Sequence, residues 1–142
     1  MLVPTRQLLR ARDFVDARYA DPIGVEDMAR IAGLSRAYFS REFRRVYGES
    51  PHQYLATRRL ERAAALLRNT DRSVTEICFD VGLTSLGSFT TSFGRVYGTS
   101  PARYRAGFPP AERLIRIPGC VARSYGRPQN RTFREVTAET HP

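Results

Sequence analysis

The sequence repeats itself, and that repeat constrains the fold more than any other feature. Val25–Ser35 (VEDMARIAGLS) returns as Val74–Thr84 (VTEICFDVGLT), an offset of 49 from position 25 to position 74. After one inserted residue the offset becomes 50. Phe39 then answers Phe89, Phe43 answers Phe93, Arg45–Pro51 (RVYGESP) answers Arg95–Pro101 (RVYGTSP), and Tyr54 answers Tyr104. A chain with such a period builds one supersecondary unit more than once.

Each copy reads as a short helix, a glycine turn and a longer helix. In the first, Met28, Ile31 and Ala32 form an apolar stripe, Gly33-Leu34 breaks it, and Ser35 caps a helix predicted from Arg36 to about Tyr47. Gly48 ends that helix. Phe39, Phe43, Val46 and Tyr47 recur at i, i+4, i+7 and i+8, which predicts one buried face. In the second copy Ser73-x-x-Glu76 is a capping-box pattern for a helix through Val81, and Gly82-Leu83 is the turn. Thr84 or Ser85 then caps a helix with Phe89, Phe93, Val96 and Tyr97 inward. Two helices joined by a short glycine turn make a helix-turn-helix unit.

Between the copies, Ser50-Pro51-His52-Gln53 opens a helix expected to run to about Arg68, with Tyr54, Leu55, Leu60, Ala64, Leu66 and Leu67 on its apolar side. At ~1.5 Å per residue this linker helix is about 27 Å long. In front, Leu8, Leu9, Phe14, Val15 and Tyr19 predict an amphipathic helix over roughly Thr5 to Ala20, stopped by Asp21-Pro22. Ser100-Pro101 starts a last short helix to about Arg105. The expected layout is all-α: a first unit over about 5–49, the linker helix over about 51–68, and a second unit over about 73–107. Residues 108–142, rich in proline and arginine, are expected to form an irregular tail, with Leu114, Ile115, Ile117 and Val121 available to pack back on the body.

Composition then narrows the chemistry. All 23 basic residues are arginine and none is lysine, which excludes a G-x-x-x-x-G-K-[ST] phosphate loop and Schiff-base catalysis. Cys78 and Cys120, with only His52 and His141 beside them, make no zinc set and no C-x-x-C pair. Neither a metal nor a cofactor is expected, and no paired carboxylates or nucleophile–base set suggest an enzyme. Cys78, at an apolar helix position, is expected to be a core residue, and Cys120 exposed and inert. No run approaches the ~18 apolar residues of a membrane span and Met1–Arg10 lacks a signal-peptide core, so a cytoplasmic protein is expected. The formal net charge of +9 points to a polyanionic partner.

The helix faces say where that partner sits. Rotation by 100° per residue puts Ala37, Ser40, Arg41 and Arg44 opposite the Phe39/Phe43 stripe, with Arg36 and Arg45 on the flanks. Small residues at 37 and 40 permit close approach, and the Arg41 guanidinium can offer two parallel donors to guanine in a major groove. Arg44, Arg45 and, by its flanking place, Arg36 suit phosphates. On the second long helix the outer face is Gly87, Thr90, Thr91 and Gly94, with Leu86, Ser88 and a single cation, Arg95, beside them. Hydroxyls and methyls there can meet bases, but nothing in the middle grips guanine bidentately. The first unit is therefore expected to carry most of the specificity.

Taken together, these residues resemble the bacterial AraC/XylS-type transcription regulators. The resemblance rests on Met28-Ala-Arg-Ile-Ala-Gly-Leu-Ser-x-x-Tyr38-Phe-Ser-Arg-x-Phe43, Gly48-x-Ser-Pro51-x-x-Tyr54, the Arg58–Leu67 helix, and the second-unit run from Ile77 through Phe89, Phe93, Tyr97-Gly-x-Ser-Pro101 to Tyr104-Arg105. It covers about residues 5–107. It implies seven helices with two helix-turn-helix units, double-stranded DNA as partner, and recruitment or obstruction of RNA polymerase at promoters. It places base contacts on Arg36, Ala37, Ser40 and Arg41 of the first unit and on Leu86, Gly87, Ser88, Thr90 and Thr91 of the second. Phosphate contacts remain with Arg44, Arg45 and Arg95.

Departures from the family pattern concentrate in the second unit, where Leu86, Gly87 and Thr91 stand in place of long polar residues and Phe79 in place of a small one. Most members carry a separate effector-binding or dimerisation domain, whereas here four residues precede the first helix, so a stand-alone regulator is expected, the alternative being a tail that begins a truncated second domain; with two unlike reading heads in one chain, a monomer suffices. Helix-turn-helix heads set in successive grooves, ~34 Å apart, with unlike faces should read a non-palindromic site. The alternative is a basic helical-repeat module that binds an acidic protein; its period exceeds the common solenoid repeats and two copies are fewer than such arrays need.

Overall fold

A computed structural model of the chain describes residues 4–110. Those residues form seven α-helices: α1 (Thr5–Arg18), α2 (Val25–Ala32), α3 (Arg36–Tyr47), α4 (Pro51–Asn69), α5 (Val74–Asp80), α6 (Leu86–Tyr97) and α7 (Pro101–Ala106). No strand occurs among the described residues. The expectations for Cys120, for Leu114, Ile115, Ile117 and Val121, and for the tail from 111 onward lie outside them. The chain divides into two compact units, and the boundary falls after Arg59, within α4.

The first unit is α1, α2, α3 and the opening turns of α4 around one core. Leu8, Ala11, Val15, Met28, Ala29, Ala32, Phe39, Phe43, Tyr54 and Leu55 are its buried residues. Leu8, Ala11 and Val15 lie at i, i+3 and i+7, the spacing of a single helical stripe. Tertiary packing narrows the stripes relative to the sequence expectation. Leu9 and Ile31 are exposed, while Ala11 and Ala29 take the buried places.

The second unit repeats the plan with Leu60–Asn69, α5, α6 and α7. Ile77, Cys78, Val81, Phe89 and Phe93 are fully buried. In each unit one phenylalanine is the hub. The Phe43 ring lies 5.5 Å from Phe39, 4.6 Å from Tyr47 and 5.7 Å from Tyr54. Phe93 lies 5.7 Å from Phe89, 4.5 Å from Tyr97 and 5.3 Å from Tyr104. Such ring pairs add about 0.5–1.5 kcal/mol each beyond their burial. The hub pulls the buried face toward the tyrosine side of the helix, which turns Val46 and Val96, both expected inward, out to solvent.

Turn chemistry is the same in both units. Leu34 N–H returns to Ala29 O at 3.0 Å across Gly33, and Leu83 N–H to Cys78 O at 3.0 Å across Gly82. The two glycines have φ of 73° and 94°, a region in which a side chain is strained. Ser35, Ser73, Ser85 and Ser100 each accept an N–H three residues on, as N-caps do. Of the two residues expected to cap α6, Ser85 does it. Around Ser73 the capping box is complete, since Glu76 Oε1 also accepts Ser73 N–H at 3.0 Å.

Buried polar groups fasten each unit. Asp16 Oδ1 accepts Tyr54 O–H at 2.7 Å and Arg58 Nε at 3.1 Å, and the Arg58 guanidinium lies over Tyr19. Arg59 donates to the carbonyls of Tyr19 and Asp21 at the end of α1. Arg105 does the same for Leu67 and Thr70 at the end of α4, and Arg68 donates to the Tyr104 hydroxyl oxygen at 2.8 Å. A cation at the Tyr19 and Leu67 carbonyls suits the helix dipole and gives these terminal acceptors a partner.

Candidate nucleic-acid interface

Ser35 has extended φ/ψ and takes Tyr38 N–H at 3.2 Å, so α3 begins sharply at Arg36. Burial of Phe39 and Phe43 then fixes its rotation. Arg36, Ala37, Arg41, Arg44 and Arg45 consequently reach solvent, with Ser40 half-buried among them. In the second unit Ser85 takes Ser88 N–H at 3.2 Å and Phe89 and Phe93 set the rotation. Leu86, Gly87, Ser88, Thr90, Thr91 and Arg95 are all exposed. Every residue proposed from sequence thus lies on the outer side of a capped helix.

The arginines of α3 are not equivalent. Arg41 stands over the Tyr38 ring at 5.7 Å, which orients the guanidinium without neutralising it. Neither Arg41 nor Arg44 has an ion pair among the described residues. Arg36 meets Glu26 of α2 at 3.2 Å, a pair exposed on both sides and therefore weak. Arg45 is held more firmly: its Nε and Nη2 both donate to Glu42 Oε1, at 3.1 and 2.7 Å. That hydrogen bond, and then the Glu42 charge, raises the Arg45 pKa further.

The α6 face is weaker in charge and in donors. Thr90 O–H donates to Leu86 O at 2.9 Å, so its hydrogen goes to the helix backbone and its methyl and lone pairs remain for a partner. Thr91 makes no such bond. Gly87 presents bare backbone, with open space for 4 Å around the point a Cβ would occupy.

Acids near the first helices have local work. Asp16 holds Tyr54 and Arg58, Asp21 pairs with Arg18, and Glu26 with Arg36. Asp27 accepts Gly24 N–H at 2.8 Å and pairs with Arg30, and these two partners hold its carboxyl below the usual range, Gly24 first. Sequence reading missed Glu26 and Glu42 as arginine partners. Glu42 and Arg45 are at i and i+3, a legible helical spacing. Glu26 and Arg36 are ten residues apart across a turn, which no local period signals.

Among the described residues no group of three or more His, Cys, Asp or Glu side chains is arranged to hold a metal ion. None of the described helices is long and apolar enough to cross a membrane.

Residues 28–107, more than half of the chain, match the family model described as a helix-turn-helix domain. The fold matches a transcriptional regulator of Chromobacterium violaceum described among AraC-type DNA-binding domain-containing proteins, at 28% identity and TM-score 0.68 over 72% of this chain and 91% of that one. The chain belongs to the AraC-type helix-turn-helix family. Another neighbour is the DNA-binding domain of AdpA, a global transcriptional factor, solved in complex with a target DNA: 35% identical, TM-score 0.68, with 70% of this chain and 90% of that one covered. Among curated relatives, the regulator ExsA of Pseudomonas aeruginosa is 33% identical over 102 residues, 72% of this chain and 37% of ExsA. The regulatory protein SoxS of Salmonella typhimurium is 32% identical over 78 residues, 55% of this chain and 73% of SoxS. The chain therefore spans little more than a third of ExsA but most of SoxS.

Proposed function

We propose that this AraC-type chain is a sequence-specific DNA-binding transcription regulator, which reads two successive major grooves of a non-palindromic promoter site, one with α3 and one with α6. The observation that carries this reading is the outer face of α3. There Arg41 and Arg44, with no acid paired to them among the described residues, flank the small side chains of Ala37 and Ser40. That face matches what a major groove requires: close backbone approach, a fork for guanine O6 and N7, and a cation for phosphate. The AdpA domain bound to its target DNA, at 35% identity, supports the same reading.

In this account Arg36, Ala37, Ser40 and Arg41 face bases from α3. Leu86, Gly87, Ser88, Thr90 and Thr91 do so from α6, where apolar contact with thymine methyls outweighs hydrogen bonding. Arg44 and Arg95 meet phosphates, and Arg45 lies on the same phosphate-facing flank, where Glu42 holds its guanidinium. The chain acts as a monomer, within the cytoplasm and on the nucleoid, and RNA polymerase is the partner through which bound DNA becomes regulation. A gel shift with genomic promoter fragments tests this: a discrete complex should survive excess unrelated DNA and weaken as salt rises. Equal competition by random and promoter DNA would remove the specific-regulator reading and favour a basic module for an acidic protein.

A further inference from the structure

We propose that Glu42 sets how tightly α3 grips DNA of any sequence, by keeping the Arg45 guanidinium away from phosphates. This rests on the reading of α3 as a DNA-binding helix. Glu42 differs from an ordinary surface acid in two respects. Its side chain is only 15% exposed, so it stays in place, and the 54% exposed Arg45 side chain folds back onto it. It also takes two N–H groups of Arg45 on one oxygen, at 3.1 and 2.7 Å, which turns that edge of the guanidinium toward Glu42. Glu26 of α2 is the contrast: it holds Arg36 by one contact of 3.2 Å, and its side chain is 72% exposed. A phosphate takes Arg36 from Glu26 easily and Arg45 from Glu42 with difficulty. Of the four arginines of α3, two have no ion pair among the described residues, one is readily released and one is withheld.

The sequence-independent part of DNA affinity comes from counterions released as arginines neutralise phosphates, with a slope of about −0.9 in log K against log salt for each contact. Withholding Arg45 removes one such contact. Counted from a 1 M reference, one slope unit of 0.9 amounts to about eightfold in affinity at about 0.1 M salt. Glu42 therefore loosens the protein on random duplex and shortens its stay there.

The test is fluorescence anisotropy on a random-sequence duplex across about 50–200 mM salt, with wild type, Glu42→Gln, Glu42→Ala, Arg44→Ala, Arg45→Ala and Glu42→Gln/Arg45→Ala. Thermal melts show that each variant is folded, and the two neutral replacements at 42 guard against a packing defect in either. Glu42→Gln and Glu42→Ala should bind up to about eightfold more tightly at about 0.1 M salt and steepen the slope by about 0.9. Arg45→Ala should barely change the slope in the wild-type background but remove the added 0.9 or so in the Glu42→Gln background. Arg44→Ala should lower it in wild type. Unchanged slopes in the Glu42 variants, or an Arg45→Ala loss in wild type equal to that of Arg44→Ala, would overturn the proposal. A wild type that binds random duplex but shows no preference for any genomic fragment would instead refute the sequence-specific reading and leave the Glu42 result standing; a wild type that binds no duplex overturns both.

Discussion

The helix α6 carries two interior glycines, and replacing one of them gives a test of how the second unit is stabilised. At Gly94 an added Cβ meets nothing nearer than Thr99 O at 3.9 Å, an ordinary van der Waals distance, and the backbone is helical rather than left-handed. Gly94 O still accepts the Gly98 N–H that closes the helix at 2.8 Å, since that bond involves backbone alone. Nothing in the native state therefore opposes a methyl group, and alanine reduces the freedom of the unfolded chain. Gly94→Ala should stabilise by about 0.5–1 kcal/mol, which corresponds to a rise in melting temperature of about 2–8 °C. The control is Gly98→Ala, four residues on, where φ is 77° and alanine should cost about 1–2 kcal/mol instead. Thermal and urea unfolding followed by circular dichroism read both variants. A Gly94→Ala protein that melts lower than wild type would show that the glycine is needed for a contact or bend of α6 absent from this structure, and the reasoning would fail.

Other expectations follow from single residues. Arg41→Ala should cost about 1–3 kcal/mol on the best site and relax selectivity at one base pair, while Arg44→Ala should weaken all sequences alike; competition binding with single-base variants of the site separates the two. The low Asp27 pKa means that its stabilisation is complete above the unfolded value near 3.8 and is lost as pH falls through the still lower folded value. Asp27→Asn should therefore flatten the acid limb of the stability–pH curve below about pH 4, as read by urea midpoints, and an unchanged limb would count against the Gly24 and Arg30 contacts. Burial raises the Cys78 thiol pKa and shields it. In a Cys120→Ser protein a disulfide reagent should label nothing until denaturant is added; prompt labelling of the native protein would contradict the core placement.

How much of this is readable in the chain depends on whether the cause is local. The repeat, the Gly33 and Gly82 turns, and the serine caps are legible because each is a short-range signal: a left-handed glycine or a side-chain oxygen three residues before an N–H. The helices agree within about two residues, α1 ending at Arg18 rather than Ala20. What local pattern misjudges is which edge of a stripe is buried. Ile31, Val46 and Val96 fit a helical period yet lie outside; for the two valines, the ring clusters at Phe43 and Phe93 decide the rotation. The burial of Arg58 and Arg68 is illegible for a different reason. Their partners, Asp16 and Tyr104, lie 42 and 36 residues away, and only the folded chain brings them together. On the candidate interface the same division holds. Helical rotation alone puts the candidate residues on the sides that the structure leaves open to solvent, but the pairing of Arg36 with Glu26 across the turn between α2 and α3 emerges from three-dimensional contacts.

Reading of one site by two unlike helices is tested by letting the purified protein select fragments from sheared genomic DNA and sequencing what is retained. The account predicts a non-palindromic motif of two blocks, their centres about one helical turn apart at roughly 10 base pairs, with guanine prominent in the block that Arg41→Ala relaxes. Retained fragments that share no motif, or a palindrome that demands two copies of the chain, would contradict it.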